Sequence, residues 1–155
     1  MKLNLTPEEY GKKARALFEE GYNCAQAVFL AFDDITGFDR KTAAMLSSSF
    51  GGGMGRLREV CGAVSGMFMV TGTVVGYSDP KAKEEKADHY ALIQKLASDF
   101  SKKNGSYICR ELLGLPGASA PVPEERTAQY YMRRPCADYV ECAATLVAEE
   151  LVNHN

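Results

Sequence analysis

The hydrophobic residues of this chain recur every three or four positions in several segments, which is the spacing of one face of an α-helix. In the longest predicted helix this face consists of His89, Ile93, Leu96 and Phe100. In the C-terminal helix it consists of Cys136, Tyr139, Val140, Ala143, Val147 and Leu151. Because no segment alternates with a period of two, the sequence predicts an all-α protein without a sheet.

Capping residues and helix breakers divide the chain into about six to eight helices. Thr6 precedes Pro7, and Glu9 follows three residues after Thr6, a combination typical of a helix start. Asn23 and Asp39 are the expected caps of the next two helices. The predicted helices span about 7–20, 24–36, 40–49, 59–75, 79–104, 107–113, 124–134 and 135–151.

One segment, from Val60 to Tyr77, carries no charged residue. A helix that is apolar on all sides is usually the buried centre of a bundle, so the helix at about 59–75 is predicted to be the central one. Its glycines and hydroxyl side chains lower its hydrophobicity, and no basic cluster flanks it. We therefore expect no membrane span here.

Size and charge narrow the class of protein further. With 155 residues and 46% hydrophobic residues, the chain is expected to form a single domain over 1–155. A formal charge of -2 gives no basic patch, so nucleic acid is not an expected partner. The N-terminal residues lack the apolar core of a signal peptide, so we expect a cytoplasmic protein. The oligomeric state stays open.

Glycines mark a loop that separates the third helix from the central one. Gly51, Gly52, Gly53 and Gly55 let the backbone adopt positive φ and approach another group closely, which makes them candidate cofactor-binding residues. Gly62 and Gly66 then lie four positions apart on the central helix. Because glycine has no side chain, one face of the helix is bare at these two positions. This bare face suits either a close helix crossing or a bulky ligand.

Five cysteines are the main candidates for chemistry. Cysteines in a reducing compartment indicate redox chemistry or metal binding before structural disulfides, although each thiol could also be a small core residue. Cys24, Cys61, Cys109 and Cys136 each fall in about the first turn of a separate predicted helix. Free N–H groups there stabilise a thiolate, so we predict lowered pKa values for these thiols. Cys142 lies ~120° around the helix from Cys136 and is predicted to be structural.

Three other polar residues carry two interpretations each. His89 lies on an apolar helix face, so it is either a hydrogen-bonded core residue or an additional ligand or proton carrier. Arg56 and Arg58 flank the glycine loop and are either solvated or hold a thiolate or an anion.

A series of motifs then runs through most of the chain. It comprises Tyr22-Asn23-Cys24-Ala25-Gln26, the Phe50–Gly55 glycine loop, Cys61-Gly62-Ala63 with Gly66, Cys109 ahead of Leu112-Leu113-Gly114, and Cys136. The series resembles the C-GCAxxG-C-C family of redox proteins, although this chain has Cys-Gly-Ala where the family label has Gly-Cys-Ala. The resemblance implies a small helical protein with thiol redox or electron-transfer function. It also implies that the four family cysteines are Cys24, Cys61, Cys109 and Cys136.

Three functional hypotheses remain. In the first, the protein is a thiol-dependent oxidoreductase in which Cys61 attacks and Cys24 resolves the product into a disulfide, with an unidentified redox partner protein. In the second, Cys24, Cys61, Cys109 and Cys136 bind a transition metal or an iron–sulfur cluster. In the third, the chain is a non-catalytic module whose glycine loop binds a small molecule or a partner helix.

Overall fold

Ten α-helical segments and one 3₁₀ turn form the secondary structure of residues 1–154, the part of the chain that the computed structural model describes. The segments are α1 (Pro7–Glu19), α2 (Cys24–Ala31), α3 (Asp33–Thr36), α4 (Arg40–Ser47), the 3₁₀ turn (Ser48–Phe50), α5 (Gly51–Met54), α6 (Gly62–Val75), α7 (Lys83–Asn104), α8 (Cys109–Leu113), α9 (Ala128–Arg133) and α10 (Cys136–Asn153). No strand forms within the described residues, and an isolated bridge pairs Val60 with Ile108. The predicted all-α single domain is confirmed.

Local sequence sets the start of the first helices as expected. The Thr6 side chain accepts a hydrogen bond from the Glu9 amide, and the Glu9 side chain accepts one from the Thr6 amide. Asn23 and Gln26 form the same reciprocal arrangement at α2. Both arrangements satisfy backbone N–H groups that a helix start leaves without partners.

The first half of α6 is buried, as the prediction of a central helix requires, and it packs between α2 and α10. Its glycines allow the crossing with α2 to be close. A Cβ atom added at Gly66 would lie 2.8 Å from the Val28 Cβ, and one at Gly62 would lie 3.1 Å from the Cys24 Cβ. The bare face of α6 therefore serves helix packing.

Several predicted boundaries are wrong for reasons that involve distant residues. The central helix begins at Gly62 instead of about 59, because residues 58–61 form backbone hydrogen bonds with residues 107–110 instead of a helical turn. The predicted second helix is interrupted at Phe32, where φ is -105° and ψ is 24°. The longest helix begins at Lys83, because the Asp79 carboxylate accepts a hydrogen bond from the Lys81 amide and holds a turn there.

None of the helices in residues 1–154 has both the length and the apolar character that crossing a membrane requires.

Candidate functional site

A cavity of about 280 Å³ lies where several helix N-termini meet. Cys24, Cys61, Cys109 and Cys136 all line it. Cys24, Cys109 and Cys136 are the first residues of α2, α8 and α10, and Cys61 directly precedes α6. Four residues that are far apart in sequence thus share one site because each occupies the equivalent end of its helix.

Backbone pairing brings two of these cysteines together. The Cys61 amide donates to the Tyr107 carbonyl at 2.9 Å, and the Cys109 amide donates to the Glu59 carbonyl at 2.6 Å. These two bonds flank the Val60–Ile108 bridge and place the starts of α6 and α8 side by side.

The other two cysteines, Cys24 and Cys136, line the cavity as a thiol pair whose pKa values are linked. Hydrogen bonding to Cys24 lowers the pKa of Cys136, and the guanidinium groups of Arg134, Arg58 and Arg126 lower it further. The pKa of Cys24 is raised well above its ordinary value by the same hydrogen bond and by burial. The arrangement favours a thiolate on Cys136 that accepts a hydrogen bond from a protonated Cys24.

The prediction of a lowered pKa is wrong for Cys61 and Cys24. Burial raises the pKa of Cys61 to about 12, and the amides of Ala63 and Val64 at the start of α6 offset this only in part. The reason is that desolvation of a buried thiolate outweighs the electrostatic benefit of a helix N-terminus. Cys61 is therefore poorly suited to be the attacking thiolate.

Arg58 is buried in the cavity wall with 4% of its surface exposed, so it is not a solvated arginine. Its Nε donates to the Ser119 hydroxyl at 2.9 Å, and its Nη1 lies 3.6 Å from the Cys109 sulfur. Its backbone φ of 63° is in the left-handed region, which is costly for a residue with a side chain. Arg56 lies at the cavity as well and donates to the Ala120 carbonyl at 2.6 Å.

The glycine loop forms a left-handed turn. Five consecutive residues, from Gly52 to Arg56, have φ between 61° and 68°. A Cβ atom at Gly51 would lie 2.3 Å from the Asn23 side chain, and one at Gly53 would lie 2.6 Å from the Cys109 Cβ. The loop therefore packs directly on the residues that precede or begin α2 and α8.

Five of the six glycines that sequence suggested for cofactor binding line the cavity, namely Gly51, Gly52, Gly53, Gly55 and Gly62. Gly66 lies instead in the crossing of α6 with α2, against Val28 and the Ala25 carbonyl. Gly66 is thus a packing residue, which corrects its inclusion among the binding residues.

The segment between α8 and α9 covers one side of the cavity, a position that the sequence did not predict. Ser119 and Ala120 are tied to Arg58 and Arg56, as described above. Arg126 donates to the Phe18 and Tyr22 carbonyls at 2.7 and 2.9 Å, and its guanidinium stacks on the Phe18 ring at 4.1 Å. Arg126, Arg134 and Tyr130 also line the cavity and were missed, because no local pattern shows that this loop returns to α1.

The remaining candidates lie elsewhere. Cys142 borders a separate surface groove and accepts a hydrogen bond from Asn104, as expected for a residue on another face of α10. His89 packs edge-on against Tyr77, and its Nδ1 is buried without a hydrogen-bond partner in the described residues. Neither residue lines the cavity.

The donor chemistry of four thiols would suit a soft metal ion, but the positions do not fit one. Within residues 1–154, no three Cys, His, Asp or Glu side chains are close enough together to hold a metal ion. The thiols are arranged as the Cys24–Cys136 pair with Cys61 and Cys109 around it. As folded, the site presents four thiols around one cavity.

The family model described as "Putative redox-active protein (C_GCAxxG_C_C)" matches residues 22–150. The match covers most of the chain and includes all four cavity cysteines, so the protein belongs to this redox-active, cysteine-motif family. No curated protein and no solved structure matches the chain.

Proposed function

We propose that this protein is a thiol–disulfide oxidoreductase that uses Cys136 as the attacking thiolate and Cys24 as the resolving thiol. The observation that supports the proposal best is that these two thiols line one cavity and shift each other's pKa in opposite directions. The lowered pKa of Cys136 supplies the thiolate that exchange requires. Cys61, the attacking residue expected from sequence, is replaced in this role because burial keeps its thiol protonated.

The reaction transfers two electrons from the protein to a disulfide. The Cys136 thiolate attacks one sulfur of the substrate, the substrate S–S bond breaks, and the first thiolate leaves. Cys24 then loses its proton, attacks the Cys136 sulfur and displaces the second half of the substrate. The products are a Cys24–Cys136 disulfide and two substrate thiols, each protonated from Cys24 or solvent.

The four arginines of the cavity wall assist both steps, since a cation stabilises a thiolate that is forming or leaving. The remaining cysteines, Cys61 and Cys109, line the cavity without belonging to the pair. We place the reaction in the cytoplasm, where a dithiol protein reductant would regenerate the thiols.

A single-turnover experiment tests the proposal. Fully reduced protein is mixed without oxygen with bis(2-hydroxyethyl) disulfide, a small neutral disulfide, and released thiol is counted. We expect two thiols per protein and a Cys24–Cys136 disulfide in peptide mass maps. Cys136→Ser should abolish thiol release, whereas Cys24→Ser should stop at one thiol with an adduct on Cys136.

Cys142→Ser is the matched control, since Cys142 lies outside the cavity, and it should release thiol as the wild type does. A disulfide between any other pair, or no thiol release, would overturn the assignment. Stoichiometric iron or zinc in protein purified without oxygen, lost equally on substitution of any cavity cysteine, would support the metal hypothesis instead.

A further inference from the structure

The Arg58 guanidinium is a buried charge without a carboxylate partner among the described residues. Its polar contacts are the Ser119 hydroxyl and the Cys109 sulfur, and no carboxylate lies within ion-pairing distance of it in residues 1–154. Burying a charge is costly unless it is paired, so natural proteins rarely keep such an arginine without a function for its charge.

The rest of the cavity wall is also cationic. Arg56, Arg126 and Arg134 line it with Arg58, whereas Glu124 is the one carboxylate among the lining residues. Glu124 is already engaged, because Arg134 donates to its carboxylate at 2.5 Å and Arg133 lies 3.7 Å from it. Arg56 and Arg126 donate to backbone carbonyls, and neither has a carboxylate partner in residues 1–154. The cavity therefore has an excess of positive charge beside the thiol pair.

We propose that the substrate in this cavity is a small disulfide that carries a carboxylate, and that Arg58 binds this carboxylate. The inference rests on the proposed oxidoreductase function and adds the class of substrate to it. A guanidinium presents a planar fork of donors that matches a carboxylate, and a charge-assisted pair of this kind in a desolvated wall is strong.

The geometry places the charge and the reacting sulfur in one space. Arg58 and Cys136 both line the cavity, and the Arg58 charge acts on the Cys136 thiolate. The glycine loop keeps this space open, because a Cβ atom at Gly52 would lie 2.9 Å from the Arg56 side chain and 3.9 Å from the Arg58 Nη1. A volume of about 280 Å³ suits a small molecule rather than a protein side chain cluster.

The test compares three disulfides of similar length that differ in charge. These are 3,3′-dithiodipropionate with two negative charges, bis(2-hydroxyethyl) disulfide with none, and cystamine with two positive charges. The rate of thiol release from each is divided by its rate with free dithiothreitol, a small neutral dithiol whose thiolate repels the anionic disulfide. We expect the corrected rate to be roughly 10-fold or more higher for the dianion than for the neutral disulfide, and lowest for cystamine.

The role of Arg58 is tested with Arg58→Met and Arg58→Lys. Arg58→Met should lower the rate with the dianion by a larger factor than the rate with the neutral disulfide, so that the preference for the dianion is lost. Arg58→Lys should restore part of the preference. Arg40→Met is the matched control, because Arg40 is exposed on α4 and pairs with Asp33 away from the cavity. It should retain the full preference.

A second readout needs no chemistry at the thiols. Suberate has the same chain length as dithiodipropionate but no disulfide, so calorimetric titration with suberate measures binding of the dicarboxylate alone. Wild-type protein and Arg40→Met should bind suberate, and Arg58→Met should not. This readout also applies to the wild type if Arg58→Met does not fold.

The outcomes distinguish the two proposals. Equal corrected rates for all three disulfides, with two thiols released from each, would overturn the carboxylate substrate and leave the oxidoreductase function in place. Absence of thiol release from every disulfide would overturn both. Suberate binding that is unchanged in Arg58→Met would overturn the role of Arg58.

Discussion

Cys24 and Cys136 meet at one cavity, although the two residues begin helices at opposite ends of the sequence. The contact forms because α2 and α10 both pack against α6 with their N-termini at the same end. It divides the two thiols by acidity, since the pKa of Cys136 is lowered and that of Cys24 is raised. This division is what a nucleophile and its resolving partner require.

The first prediction concerns the reactivity of the cysteines at neutral pH. Cys136 should react with iodoacetamide faster than Cys61, because the pKa of Cys136 is lowered and burial raises the pKa of Cys61 to about 12. Mass mapping of reduced protein after short labelling measures the order. Faster labelling of Cys61 than of Cys136 would contradict the assignment of the nucleophile.

A second prediction isolates the hydrogen bond from Cys24. Cys24→Ala removes the donor and should raise the pKa of Cys136, which slows its labelling at pH 7 by roughly 10-fold. Cys24→Ser keeps a donor and should restore most of the rate. If both variants label at the wild-type rate, then the arginines alone stabilise the thiolate.

The third prediction separates two glycines of the same helix. Gly66→Ala should reduce the free energy of unfolding by about 1–3 kcal/mol, because its Cβ would lie 2.8 Å from the Val28 Cβ and 2.9 Å from the Ala25 carbonyl. Gly72→Ala is the control in α6. It should raise the free energy of unfolding by about 0.5–1 kcal/mol, because no atom lies within 4 Å of an added Cβ and alanine favours a helix more than glycine does. Urea unfolding measures both. Equal effects would mean that α2 does not cross α6 closely.

The fourth prediction concerns the glycine loop. Gly53 and Gly114 have nearly the same backbone conformation, with φ of 67° and 65°, so alanine at either costs about 1–2 kcal/mol of strain. Gly53→Ala should cost more, because its Cβ would also lie 2.6 Å from the Cys109 Cβ and 2.8 Å from the Arg58 Cα. Gly114 is exposed, and a Cβ atom added there would have no other atom within 4 Å, so Gly114→Ala is the control. The difference in free energy of unfolding reports the contact between the loop and α8.

Local chemistry accounts for what could be predicted from sequence. The caps at Thr6 and Asn23 act through residues three positions away, and the placement of Cys24 and Cys136 at helix starts follows from boundaries of this kind. These signals are short-range, so one sequence is enough to detect them. The all-α fold and the shared position of the four cysteines follow directly.

The rest depends on contacts between distant segments. The burial of Arg58 and the high pKa of Cys61 arise from how the loop and helices pack around them. Arg126 reaches the site because its loop returns to the carbonyls at the end of α1. No spacing along the chain encodes these contacts, and they are the reason that we propose Cys136 instead of Cys61 as the nucleophile.

The last prediction follows from the raised pKa of Cys61. Below its ordinary pKa of 9.0 the thiol is protonated in both the folded and the unfolded chain, so it does not alter stability with pH. Between 9.0 and about 12 the unfolded chain loses the proton while the folded chain keeps it, so stability falls as pH rises, by about 1.4 kcal/mol per pH unit. Because other groups also titrate in this range, the quantity to measure is the difference between wild type and Cys61→Ala.

Urea unfolding at pH 8 and pH 10 in the presence of reductant measures this difference. Between the two pH values, the free energy of unfolding of the wild type should fall by roughly 1 kcal/mol more than that of Cys61→Ala. Cys142→Ala, outside the cavity, should retain the full loss. An equal loss in wild type and Cys61→Ala would mean that Cys61 ionises as readily in the folded chain as in the unfolded one, and it would return Cys61 to consideration as the nucleophile.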